Sequence, residues 1–350
     1  MRGYIQALDG IRAFAILLVF VQHFAYFIGQ KINAGFLGVD LFFVLSGYLI
    51  TGILIQSKGN FIKRFRNFIG RRALRIFPLY YAVLLVLFLL NTPGVREWGV
   101  YLFTYSYNYA SVYYNIPHSP VVHFWSLSVE EQFYLLWPLV VLFLSSRKKW
   151  LFVCTSIIVL MCILQFSMNI FSSVIPYTYT GLYPRVYSLL IGAMGVIVFR
   201  SRGIPTWFKS KWFEFLLAMG LAACFTIQDN TKMILFPLVA IGIILKAKEN
   251  AWNFRLVNLI LNHRYAVYIG KISYGLYIYH LPLAYYFTEY IFTPMWLQIP
   301  FETFGSFKAL EFHSWIIKLP LYTMLSIIVA HFSYKYFESY FTNLKDKYFA

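Results

Sequence analysis

Asp9, Arg12 and His23 lie in LDGIRAFAILLVFVQHF, residues 8–24, a stretch otherwise apolar enough to sit in lipid. Ionisable side chains inside a membrane span are costly, and they mark substrate, ion or proton paths. On a helix, Arg12 and His23 are within about 20° of each other and roughly 16 Å apart along the axis. Asp9 falls on the same face, three residues before Arg12. The stripe can also be satisfied structurally, by an interfacial Asp–Arg pair and a hydrogen-bonded bundle histidine. The face common to all three favours function.

Other stretches carry chemistry at helical spacing. In RRALRIFPLYY, Arg72 and Arg75 share a face where a helix enters the membrane. Their guanidinium forks can hold phosphate bidentately, as in a phosphorylated cytosolic cofactor, or snorkel to lipid phosphates as topology determinants. In HFWSLSVEEQFYLLWP, Glu130, Tyr134 and Trp137 recur on one face, an acid or base beside an aromatic platform, while Glu130 and Glu131 also suit a helix N-terminus. GVDLFFVLSGYLIT places Asp40 near an outer helix end, where it can hold a partner on the first helix. Its Ser46 and Gly47 sit at mid-depth, where small residues allow close helix packing. KISYGLYIYHLPLAYY sets Ser273 and His280 seven residues apart on one side, and His280 is a second intramembrane histidine suited to bundle bonding or ligand contact. His331 and Glu338 suit interface anchoring. The tyrosines from Tyr101 to Tyr114 suit an aromatic belt more than sugar stacking.

These residues must be positioned by a membrane bundle. Of 350 residues, 60% are hydrophobic and 12% charged, and mean hydropathy is +0.64. Spans are expected at about 10–29, 36–56, 76–91, 127–145, 150–170, 183–199, 212–228, 233–246, 271–292 and 313–334. The fold class is therefore all-α, one integral membrane domain over residues 1–350 with about ten transmembrane helices. With that layout 23 Lys/Arg fall on the side of the termini and six on the other, with Arg12 inside a span. Positive charge gathers in cytoplasmic loops, so both termini are expected to be cytoplasmic. The net charge of +17 is accounted for by topology rather than by nucleic acid. No small-residue cleavage site follows Phe24, so the first segment is read as a retained helix. Cys154, Cys162 and Cys224 lie in apolar runs without metal-ligand spacing, and no metal is expected. No P-loop, H-E-x-x-H pair or G-x-S-x-G elbow occurs.

Taken together, LDGIRAFAILLVFVQHF, GFLGVDLFFVLSGYLIT, RRALRIFPLYY, HFWSLSVEEQFYLLWP and, more loosely, IGKISYGLYIYHLP and SYKYFE resemble acyltransferase family 3. These are bacterial integral membrane acyltransferases that modify exported carbohydrates. The resemblance implies that His23 is the essential first-helix histidine, Arg12 the buried arginine, and Arg72 with Arg75 the R-x-x-R motif. Glu130, His280 and Glu338 match further recurrent positions, although YFES lacks the usual proline after the glutamate. An acyl-CoA, by default acetyl-CoA, would present its phosphates to Arg72 and Arg75, with Ser273 and His280 also assigned to the donor. Its arm would pass Arg12 towards His23. His23 would act as base on a sugar hydroxyl or carry the acyl group as an acyl-imidazole. Arg12 or a neighbouring polar group would stabilise the oxyanion, and Asp9 would orient Arg12. The acceptor, an O-antigen, capsule, exopolysaccharide or similar glycan, would arrive from outside near Glu130. The chain resembles the stand-alone form without an esterase-like domain, in the cytoplasmic membrane of a bacterium and in contact with its lipids.

Two other classes fit parts of the pattern. A transporter or flippase for a glycan precursor would use the same intramembrane charges as a solute or proton path, but the chain shows neither an inverted repeat nor paired broken helices. A glycosyltransferase with a lipid-linked donor would need an outward acidic motif, for which Glu130 and Glu131 are the available residues.

Overall fold

The computed structural model describes residues 4–114, 119–144, 146–170, 180–200, 203–227, 232–298 and 315–349, and these form helices without a strand. Arg2, Arg202 and Lys308 of the charge pattern, and the ends of the expected spans at 145, 228 and 313–314, lie outside the described residues. Each expected span contains a helix. Among the described residues, four stretches are long and apolar enough to cross a membrane by length and composition: Gln6–Phe24, Ala34–Gln56, Phe61–Leu89 and the run Trp315–Tyr348. The chain is a membrane protein built of helices.

Helix α1 (Gln6–Phe24) ends earlier than expected. The backbone breaks at Ala25, a short α2 (Tyr26–Lys31) follows, and Asn33 in the left-handed region (φ 54°) turns the chain into α3 (Ala34–Gln56). α3 is apolar on every side and buried along most of its length, as a helix at the centre of a bundle must be. Its C-terminal carbonyl at Leu54 accepts from the Ser57 hydroxyl at 2.7 Å and from the Arg64 guanidinium at 2.9 Å.

The loop expected at 58–75 is instead the first half of α4 (Phe61–Leu89), one helix of 29 residues. Asn60 caps it by accepting from the Lys63 N–H at 2.9 Å, and no breaker intervenes before Pro78. A continuous helix carries the basic cluster into the membrane on a rod about 43 Å long. The Tyr-rich segment folds as α5 (Gly99–Phe103) and α6 (Tyr107–Tyr113), with Tyr80 and Tyr81 of α4 donating to the Leu102 and Phe103 carbonyls.

There follow α7 (Phe124–Phe143), α8 (Arg147–Ile170), α9 (Tyr183–Phe199), α10 (Lys211–Thr226) and α11 (Lys232–Lys248). Next come the short α12 (Arg255–Leu261) and α13 (Arg264–Lys271), then α14 (Ser273–Phe287) and α15 (Thr293–Leu297). α16 (Trp315–Ser333) passes through a π-helical turn, Tyr334–Glu338, into α17 (Ser339–Tyr348).

α3 packs most extensively on α9 and α1. The α3–α9 crossing is a backbone contact. A Cβ on Gly47 would come within 1.9 Å of the Leu189 carbonyl oxygen, and one on Gly192 within 2.0 Å of the Val44 carbonyl oxygen. Small residues at a crossing let membrane helices approach this closely, as the sequence suggests for Gly47. Beside the crossing, the Arg185 guanidinium of α9 bonds Asp40 of α3 at 2.8 Å, and Ser188 donates to the other carboxylate oxygen at 3.2 Å. Both charged side chains are fully buried. The partner of Asp40 is thus on α9 rather than on the first helix.

Candidate active site

Two of the cavities among the described residues open between these helices, and they are named inner and outer for the orientation expected from the charge pattern. The inner one, about 100 Å³, is lined by Arg12 of α1, Ser46 of α3, Arg72 and Arg75 of α4, Glu130 and Glu131 of α7, and Ser273 of α14. The outer one, about 560 Å³, is lined among others by Gln22 and His23 of α1, His123 and Trp125 at the start of α7, and Lys232 of α11. Val39 and Tyr277 line both, so the cavities lie back to back with these two side chains between them.

The inner cavity gathers five of the eight residues singled out from sequence. Asp9 is buried and ion-paired with Arg12, and the Tyr4 hydroxyl also donates to it, which fixes the guanidinium towards the cavity. Arg72 stacks over the Tyr134 ring, 5.1 Å from its centre, and Arg75 stands exposed at the cavity wall. Ser46 donates to Glu130 at 2.7 Å and accepts from the Tyr134 hydroxyl at 3.1 Å. Glu130 therefore lines the same cavity as the arginines. Each residue along a helix turns the presented face by about 100°, and the Trp137–Thr51 hydrogen bond at 2.8 Å fixes the rotation of α7. Ser46, read as packing, is a cavity residue, whereas its neighbour Gly47 packs.

Arg12 and His23 open on different cavities, as the axial separation of roughly 16 Å requires. His23 meets His280 instead. His280 Nε2 lies 3.1 Å from His23 Nδ1, and His280 Nδ1 lies 2.7 Å from the Tyr277 carbonyl oxygen. His280 is fully buried between Phe20, Phe24 and His23 and lines neither cavity. A third histidine completes the group: the ring of His123 stands edge-on to His280 with centres 4.6 Å apart, and both its nitrogens are buried without a hydrogen-bond partner. Tyr277 ties the cluster to α7 by donating to the His123 carbonyl at 3.0 Å and sharing a 2.6 Å hydrogen bond with Ser126.

The directions of these bonds follow from chemistry. A carbonyl oxygen only accepts, so His280 Nδ1 carries the proton. In the neutral ring Nε2 is then the acceptor, and His23 Nδ1 must be the donor. That leaves the lone pair of the His23 ring on Nε2, on a residue lining the outer cavity. The arrangement orients a base, as an imidazole held through its other nitrogen is oriented in catalytic dyads.

His123 and Tyr277 escaped the sequence reading. No spacing rule connects residue 123 with 23 and 280, and the one available signal was a third histidine beside a helix start. Among the other anchors, Tyr268 bonds His331 at 2.5 Å, and Ser333 donates to Glu338 at 3.0 Å across the π turn.

The chain is similar to YrhL, a candidate peptidoglycan O-acetyltransferase of Bacillus subtilis (strain 168), with 33% identity covering 80% of this chain and 48% of that one. It is also similar to the O-acetyltransferase OatA of Staphylococcus aureus (strain NCTC 8325 / PS 47), 28% identical over 96% of this chain and 57% of the relative. The peptidoglycan O-acetyltransferase OatA of Listeria monocytogenes (serovar 1/2a, strain EGD-e) is 35% identical over 43% of this chain and 25% of the relative. The chain spans about half the length of the first two. No solved structure matches. A family model described as an acyltransferase domain matches residues 5–335, a range that takes in every residue of both cavities, and the chain belongs to that family, acyltransferase family 3.

Proposed function

We propose that the protein is a membrane O-acyltransferase that moves an acyl group, acetyl by default, from cytoplasmic acyl-CoA to a hydroxyl of an exported or cell-surface glycan. The observation that carries the reading is the pair of back-to-back cavities, arginines in one and an oriented histidine in the other, meeting at Val39 and Tyr277. The O-acetyltransferase names of the relatives agree with it. The proposed setting is the cytoplasmic membrane of a bacterium, crossed about ten times, with both termini and the arginine cavity on the cytoplasmic side.

Arg72 and Arg75 hold the donor phosphates. The inner cavity has room for a narrow arm but not for a nucleotide, so the nucleotide stays at the helix surface and the pantetheine extends inward past Arg12 and Ser273. Arg12 thereby belongs with the donor grip, since its distance from His23 removes it from the oxyanion. His280 belongs with His23, as the group that orients the base.

In the transfer, His23 Nε2 takes the proton of the acceptor hydroxyl while its oxygen bonds the thioester carbonyl carbon. Collapse of the tetrahedral intermediate breaks the C–S bond, and the thiolate takes the proton back from His23. The products are the ester and the free thiol. The test is acyl transfer from isotopically labelled acetyl-CoA by purified protein in lipid vesicles, wild type against His23→Ala. Transfer that persists at the wild-type rate in a folded His23→Ala protein would sink the mechanism. Labelled protein in place of transfer would identify an acyl-imidazole, and acceptor uptake without acylation would identify a transporter.

A further inference from the structure

The inner cavity changes character as it nears Val39 and Tyr277, the boundary with the outer one. Ser46, Phe43, Phe42 and Val39 line it from one face of α3. Ser46 holds the carboxylate of Glu130 at 2.7 Å, whereas the three residues beyond it are apolar, and Leu127 of α7 adds a fourth apolar side chain. Val39 lies seven residues before Ser46, about 10 Å along the axis. The hydroxyls of Ser126 and Tyr277, which also reach this end, are turned on each other at 2.6 Å. The last stretch before the boundary is thus an apolar slot at the end of a charged cavity.

Both sides of the boundary are held. The Tyr277 hydroxyl is fixed by Ser126 and by the His123 carbonyl at 3.0 Å. Phe42 stands edge-on to the Tyr277 ring with centres 6.4 Å apart, and Phe43 stands edge-on to Trp125 at 6.2 Å. Val39 is β-branched, and on a helix such a side chain has one strongly preferred rotamer. Its neighbour Gly38 lies where α3 crosses α1, and a Cβ there would come within 2.7 Å of the Ala15 carbonyl oxygen, so the backbone that carries Val39 is pressed against α1.

A donor whose carbonyl reaches this boundary leaves the tail of its acyl group among these side chains. A slot that cannot widen discriminates by length, at about tenfold or more for each methylene that does not fit. We infer that Val39 sets the length of the acyl group the protein accepts, with Phe42 and Phe43 completing the slot. The inference rests on the transferase reading and adds to it the residue that selects the donor. Val39 acts here in donor specificity.

The test uses S-ethyl-, S-propyl- and S-butyl-CoA, thioethers that match acetyl-, propionyl- and butyryl-CoA in length and have no carbonyl to attack. Binding to the full chain in lipid nanodiscs is measured for wild type, Val39→Ala and Val39→Ile. Wild type is expected to bind S-ethyl-CoA about 10- to 100-fold more tightly than S-butyl-CoA. Val39→Ala should bring that ratio close to unity, and Val39→Ile should raise it and extend the exclusion to S-propyl-CoA. Opposite shifts of one ratio separate a size limit from a loosened fold, which weakens all three alike. Thermal midpoints confirm that the variants are folded. Equal binding of the three by wild type, binding of none, or a ratio that both variants leave unchanged overturns the inference. Transfer of label from acetyl-CoA to soluble glycan fragments, peptidoglycan among them, is followed in the same nanodiscs and separates the two ideas. A length preference that follows Val39 without transfer leaves the slot and retires the transferase reading, and transfer without that preference retires the slot and leaves the reading.

Discussion

Nε2 of His280 lies 3.1 Å from Nδ1 of His23, and the Tyr277 carbonyl on the far side of His280 sets the direction of that bond. The proposed base is thus oriented by a residue that lines neither cavity. Replacing His280 with Phe removes the acceptor while keeping an apolar ring in the pocket. Turnover is expected to fall about 10- to 100-fold with the donor KM unchanged, as when a partner that orients a catalytic imidazole is removed. Nitrogen NMR of His23 supplies the reading that a merely structural role would not move: wild type should show a proton on Nδ1 and none on Nε2. The opposite tautomer would end the argument.

Arg72 and Arg75 make a separate prediction. If they grip phosphate, Arg72→Ala with Arg75→Ala should raise the KM for acetyl-CoA by about 100-fold, the scale of losing two charge-assisted hydrogen bonds. The same double variant should no longer distinguish acetyl-CoA from acetyl-pantetheine, a donor without the nucleotide. Competition between the two donors measures this, and retained discrimination would place the phosphates elsewhere.

The α3–α9 crossing should tolerate no side chain at all. Gly47→Ala and Gly192→Ala each drive a Cβ into a carbonyl oxygen, at 1.9 Å and 2.0 Å, so the helices must part. Each is expected to cost about 2 kcal/mol or more, in the range of overpacked cores. Thermal unfolding in detergent reads it, with Gly52→Ala, on the same helix as Gly47, as the contrast: a Cβ there would meet nothing nearer than a Val196 methyl at 3.5 Å, an ordinary contact.

Asp40 and Arg185 predict a strongly non-additive pair. Asp40→Ala alone leaves a buried guanidinium uncompensated and should cost about 3–5 kcal/mol, whereas Asp40→Leu with Arg185→Met should recover most of that loss. A double-mutant cycle on the unfolding midpoint checks it. Additive losses would show that the pair is not coupled.

Some of this was legible from sequence and some was not, for physical reasons. The Arg12–His23 stripe and the Arg72–Arg75 pair were visible because helical periodicity is local, and the structure does bring Arg12, Arg72, Arg75, Glu130 and Ser273 to one cavity. Helix α4 was read too short, because charge at 58–75 resembles a loop when judged by hydropathy, although Asn60 marks the true helix start. The facing of Glu130 depends on the rotation of α7, which Trp137 sets through a contact 86 residues away. Asp40 and Arg185 are 145 residues apart, and His280 and His23 are 257 apart. Pairings of that kind are decided by which helices pack together, and periodicity within one helix carries no information about them.

Val39 and Tyr277, the two side chains between the cavities, also mark where a membrane voltage would fall. Water on both sides of a thin septum leaves little insulating material there, so in the proposed orientation the membrane voltage falls mostly across it. A lone charge crossing would gain or lose about 2.3 kcal/mol per 100 mV. The transfer derived above exchanges an acyl group moving outward for a proton moving inward, with no net charge carried. Turnover by the proposed transfer is therefore expected to be electrically silent, with a driving force that a rise or collapse of the membrane potential leaves unchanged.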